Sequence, residues 1–180
     1  MRLSPNSLLK RAREIRLLAM DVDGVLTGGE VVVLESGEEI KFWNAKDRLG
    51  LALACEKIPS LKIAWITGRS SSAVARAGKD LGIHFVVQHC SDKRIALQKI
   101  IRAQKISLRQ AAFIGDDLID LPVLKDVGFS ACPADAVADV KKRVNYVSPF
   151  PGGKGMVRDI LELILKAQNK WHSVVRSFYL

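Results

Sequence analysis

Short apolar segments alternate with stretches of helical periodicity along the chain, and this pattern predicts an α/β fold. Residues 17–20 are uniformly apolar, as in a buried strand, whereas Leu49, Leu53 and Ala54 are spaced to share one face of a helix. Strands that alternate with helices favour a parallel sheet, so we expect a three-layer sandwich with a mostly parallel, Rossmann-like sheet. Further strands are expected at 61–66, 83–87, 111–114, 129–132 and 144–147, and helices at 6–15, 46–57, 71–81, 92–104, 118–126, 134–142 and 156–168.

A predicted β-hairpin interrupts this alternation at about residues 29–43. Its two arms, 30–34 and 39–43, flank the segment Glu35-Ser36-Gly37, and a glycine in so short a break is typical of a hairpin turn. The arms carry more apolar side chains than a monomer usually exposes, and an exposed hairpin edge favours pairing between chains. We therefore expect the hairpin to contact other copies of this protein.

Length and composition are those of one globular domain, which we expect to span residues 1–180 with the hairpin as an insertion. The 180 residues are 48% hydrophobic and 26% charged, which excludes a disordered or collagen-like chain. No apolar run approaches the roughly 18 residues of a membrane helix, so we expect no membrane association. The net charge of +9 would suit either a nucleic acid or a small anionic substrate. Because the basic residues are dispersed, we expect no nucleic-acid partner.

The cysteines indicate the cell compartment. Cys55, Cys90 and Cys132 are far apart and lack the spacing of a zinc site, which is typical of reduced thiols. The apolar stretch near the N-terminus, residues 15–20, is too short for the core of a signal peptide. We therefore expect a cytoplasmic protein.

Two acidic clusters follow predicted strands. Asp21 and Asp23 come directly after the first strand, and Asp116, Asp117 and Asp120 follow a later one. Carboxylates this close repel one another unless a cation lies between them or their pKa values shift. The carboxyl ends of parallel strands are also where such sheets bind their ligands. Hard oxygen ligands in a cleft favour Mg²⁺, so the sequence predicts a magnesium site at this edge of the sheet.

A third strand end has the features of a phosphate site. Thr67 and Gly68 follow the strand at 61–66, where a hydroxyl and the main-chain N–H groups that open a helix can bind phosphate oxygens. Lys93 stands at the start of the helix expected at 92–104 and is placed to neutralise the remaining phosphate charge. We therefore expect Thr67, Gly68 and Lys93 to bind a phosphate group.

Together these motifs resemble those of the haloacid dehalogenase superfamily of phosphotransferases. The likeness extends over about residues 16–168 and includes four motifs in order, each at a strand end or a helix start. One Asp-x-Asp motif would be weak support, whereas four motifs in order are specific. The matching positions are Asp21-x-Asp23-Gly24-Val25-Leu26-Thr27, Thr67, Lys93 and Gly115-Asp116-Asp117-x-x-Asp120.

The resemblance implies a covalent mechanism with Mg²⁺ as cofactor. Asp21 would be the nucleophile that forms an aspartyl-phosphate, and Asp23 would act first as a general acid and then as a general base. The carboxylates of Asp21 and Asp116, with the main-chain carbonyl of Asp23, would hold the metal. Asp117 would orient the lysine of the phosphate site or a metal-bound water, and Asp120 would support the loop.

One subclass of this superfamily is more similar still. It has a hairpin in place of a large cap domain, and residues 115–123 and 152–158 resemble its characteristic segments. The resemblance implies a phosphatase that acts on an eight-carbon sugar-acid phosphate in lipopolysaccharide synthesis. It also implies a homotetramer in which neighbouring subunits complete each active site.

The segment after the hairpin is implied to contact the sugar acid, and Arg69 is implied to reach its anionic end. The segment departs from the family pattern at two positions, because Lys46 stands where arginine is usual and Arg48 where glycine is usual. Lysine cannot form the planar bidentate contact that arginine makes with a carboxylate. The residues implied to bind the substrate are Asp23, Asn44, Ala45, Lys46, Asp47, Arg48, Arg69 and Lys93.

Other functions remain open from the sequence. The same scaffold would suit a phosphatase of a related nonulosonate 9-phosphate or of another small phosphomonoester. Outside enzymes, the alternatives are a non-catalytic oligomeric module and a basic module that binds nucleic acid. The five motif aspartates, Thr67 and Lys93 favour an enzyme, because neither kind of module requires them.

Overall fold

A six-stranded sheet forms the centre of the protein, whose computed structural model describes residues 4–179; residues 1–3 and 180, the ends of the expected domain, lie outside this range. The strands are β1 Leu17–Met20, β2 Val32–Val33, β3 Glu39–Ile40, β4 Lys62–Ile66, β5 Phe85–Val87, β6 Ala111–Ile114, β7 Phe129–Cys132 and β8 Tyr146–Val147. The large sheet has the order β5-β4-β1-β6-β7-β8, and each neighbouring pair is parallel. β1 is therefore central, between β4 and β6.

Helices cover both faces of this sheet, which confirms the expected three-layer sandwich. They are α1 Pro5–Glu14, α2 Ala45–Lys57, α3 Ser72–Asp80, α4 Lys93–Gln104, α5 Leu121–Leu124, α6 Ala138–Lys141, α7 Met156–Ala167 and α8 Trp171–Arg176. Successive strand residues point to opposite faces. Accordingly Leu18 and Met20 pack with α1, α2, α3 and α7, whereas Leu17 and Ala19 pack with α4, α5 and α6. None of the helices between residues 4 and 179 combines the length and apolarity needed to cross a bilayer.

The segment after β6 differs from the expected helix at 118–126. It begins with a 3₁₀ turn at Leu118–Asp120, and only then does the short α5 form. The carboxylate of Asp117 accepts a hydrogen bond from the N–H of Leu118 at 2.6 Å, which stabilises the tighter turn. This turn brings Asp120 back toward the end of β6.

The hairpin is shorter than expected, because β2 and β3 pair over two residues each. Its base is fixed where the ring of Trp43 stacks on that of Trp65 from β4, with centroids 5.6 Å apart. Ile40 and Phe42 point away from the body and are 38% and 64% exposed. Because side chains alternate along an extended chain, the hairpin has an apolar outer face, and Lys41, which lies between Ile40 and Phe42, points inward.

Candidate active site

Three strand ends meet at one edge of the sheet and enclose a cavity of about 270 Å³. β1 leads into Asp21, and its neighbours β4 and β6 lead into Thr67 and Asp116, so residues far apart in the chain become adjacent. This placement agrees with the binding position typical of parallel sheets. The cavity is lined by Asp21, Asp23, Gly24, Gly29, Thr67, Gly68, Arg69, Lys93, Asp116, Asp117 and Ile119.

An acidic cluster lies at the floor of this cavity. Asp21, Asp116 and Asp120 each contribute a carboxylate oxygen, and the three oxygens lie within 4.8 Å of one another. Burial, and to a lesser extent repulsion from Asp120, raises the pKa of Asp21 to about 6 despite the nearby Lys93. Burial and then the neighbouring carboxylates raise the pKa of Asp116 to about 7. The cluster therefore resists full ionisation until a cation joins it.

The donor set fits a magnesium ion. With all three carboxylates ionised, the cluster and Lys93 carry a net charge of −2, which one divalent cation offsets. The donors are hard oxygens, which Mg²⁺ prefers. Gly24 leaves the space that this arrangement needs, because a Cβ atom there would lie 2.0 Å from Oδ2 of Asp116. Its φ of +79° also favours glycine at this position.

Lys93 connects the nucleophile candidate to the acidic cluster. Its ammonium lies 2.5 Å from Oδ2 of Asp21 and 2.7 Å from Oδ1 of Asp120, and its side chain is almost fully buried. Burial alone would lower the pKa of Lys93, but the two carboxylates raise it overall, so the side chain stays charged. Asp21 is further held by the N–H of Val22, which donates to Oδ1 at 2.7 Å.

The contacts of Lys93 bear on one of the two roles expected for Asp117, which is to orient this lysine. Asp120, not Asp117, binds the ammonium, and the other oxygen of Asp120 accepts from the main-chain N–H of Asp116 at 3.0 Å. Asp117 caps the 3₁₀ turn through its carboxylate and also lines the cavity, so its other expected role, to orient a metal-bound water, stays a prediction. The expectation that Asp120 supports the loop agrees with these contacts.

The phosphate-site candidates Thr67 and Gly68 lie in the turn after β4. Thr67 is buried, its N–H donates to the carbonyl of Val87 at 2.9 Å, and its hydroxyl accepts from the N–H of Arg69 at 3.2 Å. α3 begins only at Ser72, so the helix N-terminus does not directly follow Thr67 as expected. The turn after β4 is therefore what could bind phosphate oxygens. Its Gly68 lines the cavity and brings main-chain N–H groups close to it.

Asp23 lies on the side of the cavity nearest the hairpin and is flanked by two cations. The ammonium of Lys41 hydrogen-bonds to Oδ1 of Asp23, and the guanidinium Nε of Arg69 lies 3.9 Å from Oδ2. Arg69 also donates to Glu39, and this hydrogen bond lowers the pKa of Glu39. Sequence reasoning did not identify Lys41 or Glu39. The signal was the charged–apolar alternation from Glu39 to Phe42, which places both charges on the inner face.

Residues 44–48 are expected to bind the sugar acid. Among residues 4–179, which the structure describes, they are not part of the lining of this cavity. Asn44 caps α2 by accepting from the N–H of Lys46 at 2.9 Å, while Ala45 and Lys46 are exposed and Arg48 is half-buried. The carboxylate of Asp47, also expected at the substrate, has partners within its own chain. It is buried and accepts from the N–H of Gly155 at 3.0 Å and of Arg158 at 2.7 Å, so it joins α2 to α7.

Comparison with known proteins places this geometry in a family. A family model described as haloacid dehalogenase-like hydrolase matches residues 71–158. The 3-deoxy-D-manno-octulosonate 8-phosphate phosphatase of Yersinia pestis is 38% identical over 165 residues, which cover 92% of this chain and 87% of that protein.

Solved structures extend the likeness to the whole fold. The 3-deoxy-D-manno-octulosonate 8-phosphate phosphatase of Moraxella catarrhalis, in complex with a magnesium ion, a phosphate ion and the sugar acid, is 37% identical with a TM-score of 0.93, covering 97% of this chain and 99% of that one. The cobalt-bound deoxy-D-mannose-octulosonate 8-phosphate phosphatase of Haemophilus influenzae is 34% identical with a TM-score of 0.84. The match covers 89% of this chain and 92% of that one. This chain therefore belongs to the 3-deoxy-D-manno-octulosonate 8-phosphate phosphatase family of haloacid dehalogenase-like hydrolases.

Proposed function

We propose that this protein is a Mg²⁺-dependent phosphatase that hydrolyses 3-deoxy-D-manno-octulosonate 8-phosphate to the free sugar acid and inorganic phosphate, a step in lipopolysaccharide synthesis. The observation that carries the proposal is the position of Asp21. Its carboxylate faces the cavity, lies 2.5 Å from the buried ammonium of Lys93 and belongs to an acidic cluster suited to a divalent cation.

Asp21 is the proposed nucleophile. One of its carboxylate oxygens attacks phosphorus, the bond between phosphorus and the sugar oxygen breaks, and an aspartyl-phosphate forms. Asp23 gives its proton to the departing sugar oxygen, which would otherwise leave as an unstable alkoxide. A carboxylate and a phosphate dianion repel each other, so the ammonium of Lys93 beside Asp21 is needed to bring them together.

The second half-reaction regenerates the carboxylate. Water attacks the phosphorus of the aspartyl-phosphate while the now ionised Asp23 accepts a proton from that water. The bond between phosphorus and the Asp21 oxygen breaks, which releases inorganic phosphate and restores Asp21. Asp23 is again protonated, and the site is ready for another substrate.

The carboxylates of Asp21 and Asp116 and the main-chain carbonyl of Asp23 are the proposed ligands of Mg²⁺. When bound, the ion neutralises charge on the transferring phosphoryl group. Thr67 and Gly68 bind phosphate oxygens through a hydroxyl and main-chain N–H groups, and Lys93 supplies a positive charge. Asp120 holds Lys93 in place through its 2.7 Å contact.

Recognition of the sugar acid is proposed to require a second subunit. Arg69 faces the cavity with its side chain 43% exposed, and it is the proposed partner of the substrate carboxylate. Residues 44–48 lie outside the cavity of their own chain, so Asn44, Lys46 and Arg48 are proposed to reach a neighbour's site in a homotetramer. The exposed outer face of the hairpin is the surface proposed to join the subunits, and a cytoplasmic location is proposed from the scattered cysteines.

A phosphate-release panel tests this function. The purified protein is assayed with 3-deoxy-D-manno-octulosonate 8-phosphate, a nonulosonate 9-phosphate and simple sugar phosphates, each with Mg²⁺ and with a chelator. We expect Mg²⁺-dependent release with kcat/KM highest for the eight-carbon acid. A higher kcat/KM for the nine-carbon acid would reassign the substrate, and release from none of these esters would overturn the proposed function.

A further inference from the structure

One lysine of the hairpin reaches the catalytic centre although it does not line the cavity. The side chain of Lys41 is 1% exposed, and its ammonium contacts Oδ1 of Asp23 and lies 3.1 Å from Oε2 of Glu39. Lysine is almost never buried so completely without a paired carboxylate. The contact with Asp23 therefore accounts for the position of Lys41.

The hairpin register fixes this lysine in place. Glu39, Lys41 and Trp43 alternate with two exposed apolar residues and so share the inner face. Trp43 stacks on Trp65 of β4, the strand that leads to the phosphate turn. Lys41 lies two residues before Trp43, so this stacking contact fixes the chain close to the lysine.

The two oxygens of Asp23 have different cations. Lys41 contacts Oδ1 from the closed inner side, and Arg69 approaches Oδ2 from the open side of the cavity. Glu39 contacts both cations, so the four side chains together add no net charge beside the phosphate site when Asp23 is ionised. The guanidinium is available to a substrate anion, whereas the ammonium of Lys41 is enclosed and stays with Asp23.

We propose that Lys41 is a positioning residue that holds the carboxylate of Asp23 in the orientation required for proton transfer. This inference rests on the proposed function, which gives Asp23 the roles of general acid and general base. Lys41 acts through Asp23 and not on the substrate, because its enclosed ammonium does not line the cavity. Its loss would leave the carboxylate free to turn toward Arg69.

The role makes a prediction that depends on the leaving group. A sugar alkoxide needs a proton as it departs, whereas nitrophenolate leaves without one. Because kcat/KM covers the steps up to release of the first product, it reports on acid assistance. The later hydrolysis of the aspartyl-phosphate needs the general base whichever ester is used. For this reason kcat depends on both the acid step and the base step.

The experiment compares wild type with Lys41→Met on the sugar phosphate and on p-nitrophenyl phosphate. For Lys41→Met we expect kcat/KM on the sugar phosphate to fall about 30-fold, which is less than the roughly 100-fold or more that a general acid contributes, because Asp23 itself is retained. On p-nitrophenyl phosphate we expect less than about a threefold change in kcat/KM, with a lower kcat and a burst of nitrophenolate. Lys41→Gln retains a hydrogen-bond donor and should show the same selectivity with a smaller loss.

The matched control is Lys57→Met, which removes an exposed lysine whose ammonium lies 2.8 Å from Glu56. It should leave kcat/KM unchanged on both the sugar phosphate and p-nitrophenyl phosphate. An equal loss of kcat/KM on the two esters, or no loss, in folded Lys41→Met and Lys41→Gln would overturn the positioning role while leaving the proposed function intact. Failure of wild type on the sugar phosphate would reject the proposed substrate instead, and the comparison would then use whichever alkyl phosphate the panel identifies. If wild type hydrolyses no ester, both proposals fail.

Discussion

Oδ1 of Asp120 accepts a hydrogen bond from the ammonium of Lys93 at 2.7 Å, and neither side chain is more than 4% exposed. Asp120 is fully buried, whereas Lys93 lines the cavity beside the proposed nucleophile. The geometry of this pair explains how a cation is kept charged and oriented in a buried site, because the carboxylate offsets the cost of burying the ammonium.

Replacement of Asp120 by asparagine should therefore reduce catalysis more than the same change at Asp117. Asp120→Asn removes the charge that orients Lys93, and we expect kcat to fall about 10- to 100-fold, as for other residues that orient ligands in metal sites. Asp117→Asn preserves the cap of the 3₁₀ turn and should cost at most about threefold. Kinetics at saturating Mg²⁺ measure both, and a larger loss for Asp117→Asn would contradict this assignment.

Asp21→Asn should abolish phosphate release, because an amide oxygen is a poor nucleophile. We expect a loss of at least about a thousandfold in kcat, as is usual when a nucleophile is removed. Folding and assembly should survive, which thermal melting and light scattering would show. Asp80→Asn, at an exposed aspartate of α3, is the control and should keep wild-type activity. Turnover of Asp21→Asn within tenfold of wild type would exclude this residue as the nucleophile.

Gly24→Ala should impair the metal site and not only the fold. The positive φ of Gly24 makes any Cβ unfavourable by about 1 kcal/mol, and this Cβ would also displace the carboxylate of Asp116. Gly37→Ala has a similar φ of +83° but no atom within 4 Å, so it carries the backbone cost alone. Calorimetric Mg²⁺ titration should show weakened binding only for Gly24→Ala. Equal Mg²⁺ affinity of the two variants would contradict the crowding argument.

The raised pKa values of Asp21 and Asp116 make stability dependent on pH. In the metal-free folded protein these groups hold protons that the unfolded chain has released, since their pKa values are about 6 and 7 instead of 3.8. Their contribution to stability is therefore present below about pH 4 and is lost as pH rises through about 7. Mg²⁺ should counter this loss, because it favours the ionised carboxylates.

Melting curves with Mg²⁺ and with a chelator, at pH 5.5 and pH 8, measure this coupling. We expect the rise in Tm caused by Mg²⁺ to be a few degrees larger at pH 8. Asp116→Asn should reduce the difference between the two pH values. The same rise at both pH values in wild type would argue against metal binding by these carboxylates.

Phe42→Glu should weaken the proposed homotetramer. Phe42 is 64% exposed on the outer face of the hairpin, where a charge would have to be buried on assembly. We expect a lower mass in light scattering and a kcat/KM reduced about tenfold, with the melting curve of the folded chain retained. Leu9→Glu, at a 43% exposed position of α1, is the control for adding a charge to an apolar surface residue. A wild-type protein that is monomeric would reject the proposed assembly.

Much of the site could be predicted because its residues are tied to strand ends. The strand at 17–20 and the strand at 111–114 form with the expected bounds, and the acids that follow them converge as the parallel topology requires. Local apolar patterns are sufficient for this, since they report which segments are buried and where each one stops.

The sequence by itself determined the sheet, the edge at which the chemistry lies and the residue types gathered there. Only the tertiary structure decided the pairings: Asp120 with Lys93, Lys41 with Asp23, and Asp47 with the start of α7. Each of these pairs joins elements that are separate along the chain, the last across 111 residues. Such contacts depend on how helices and the hairpin pack against the sheet, and periodicity within a segment carries no information about distances between segments.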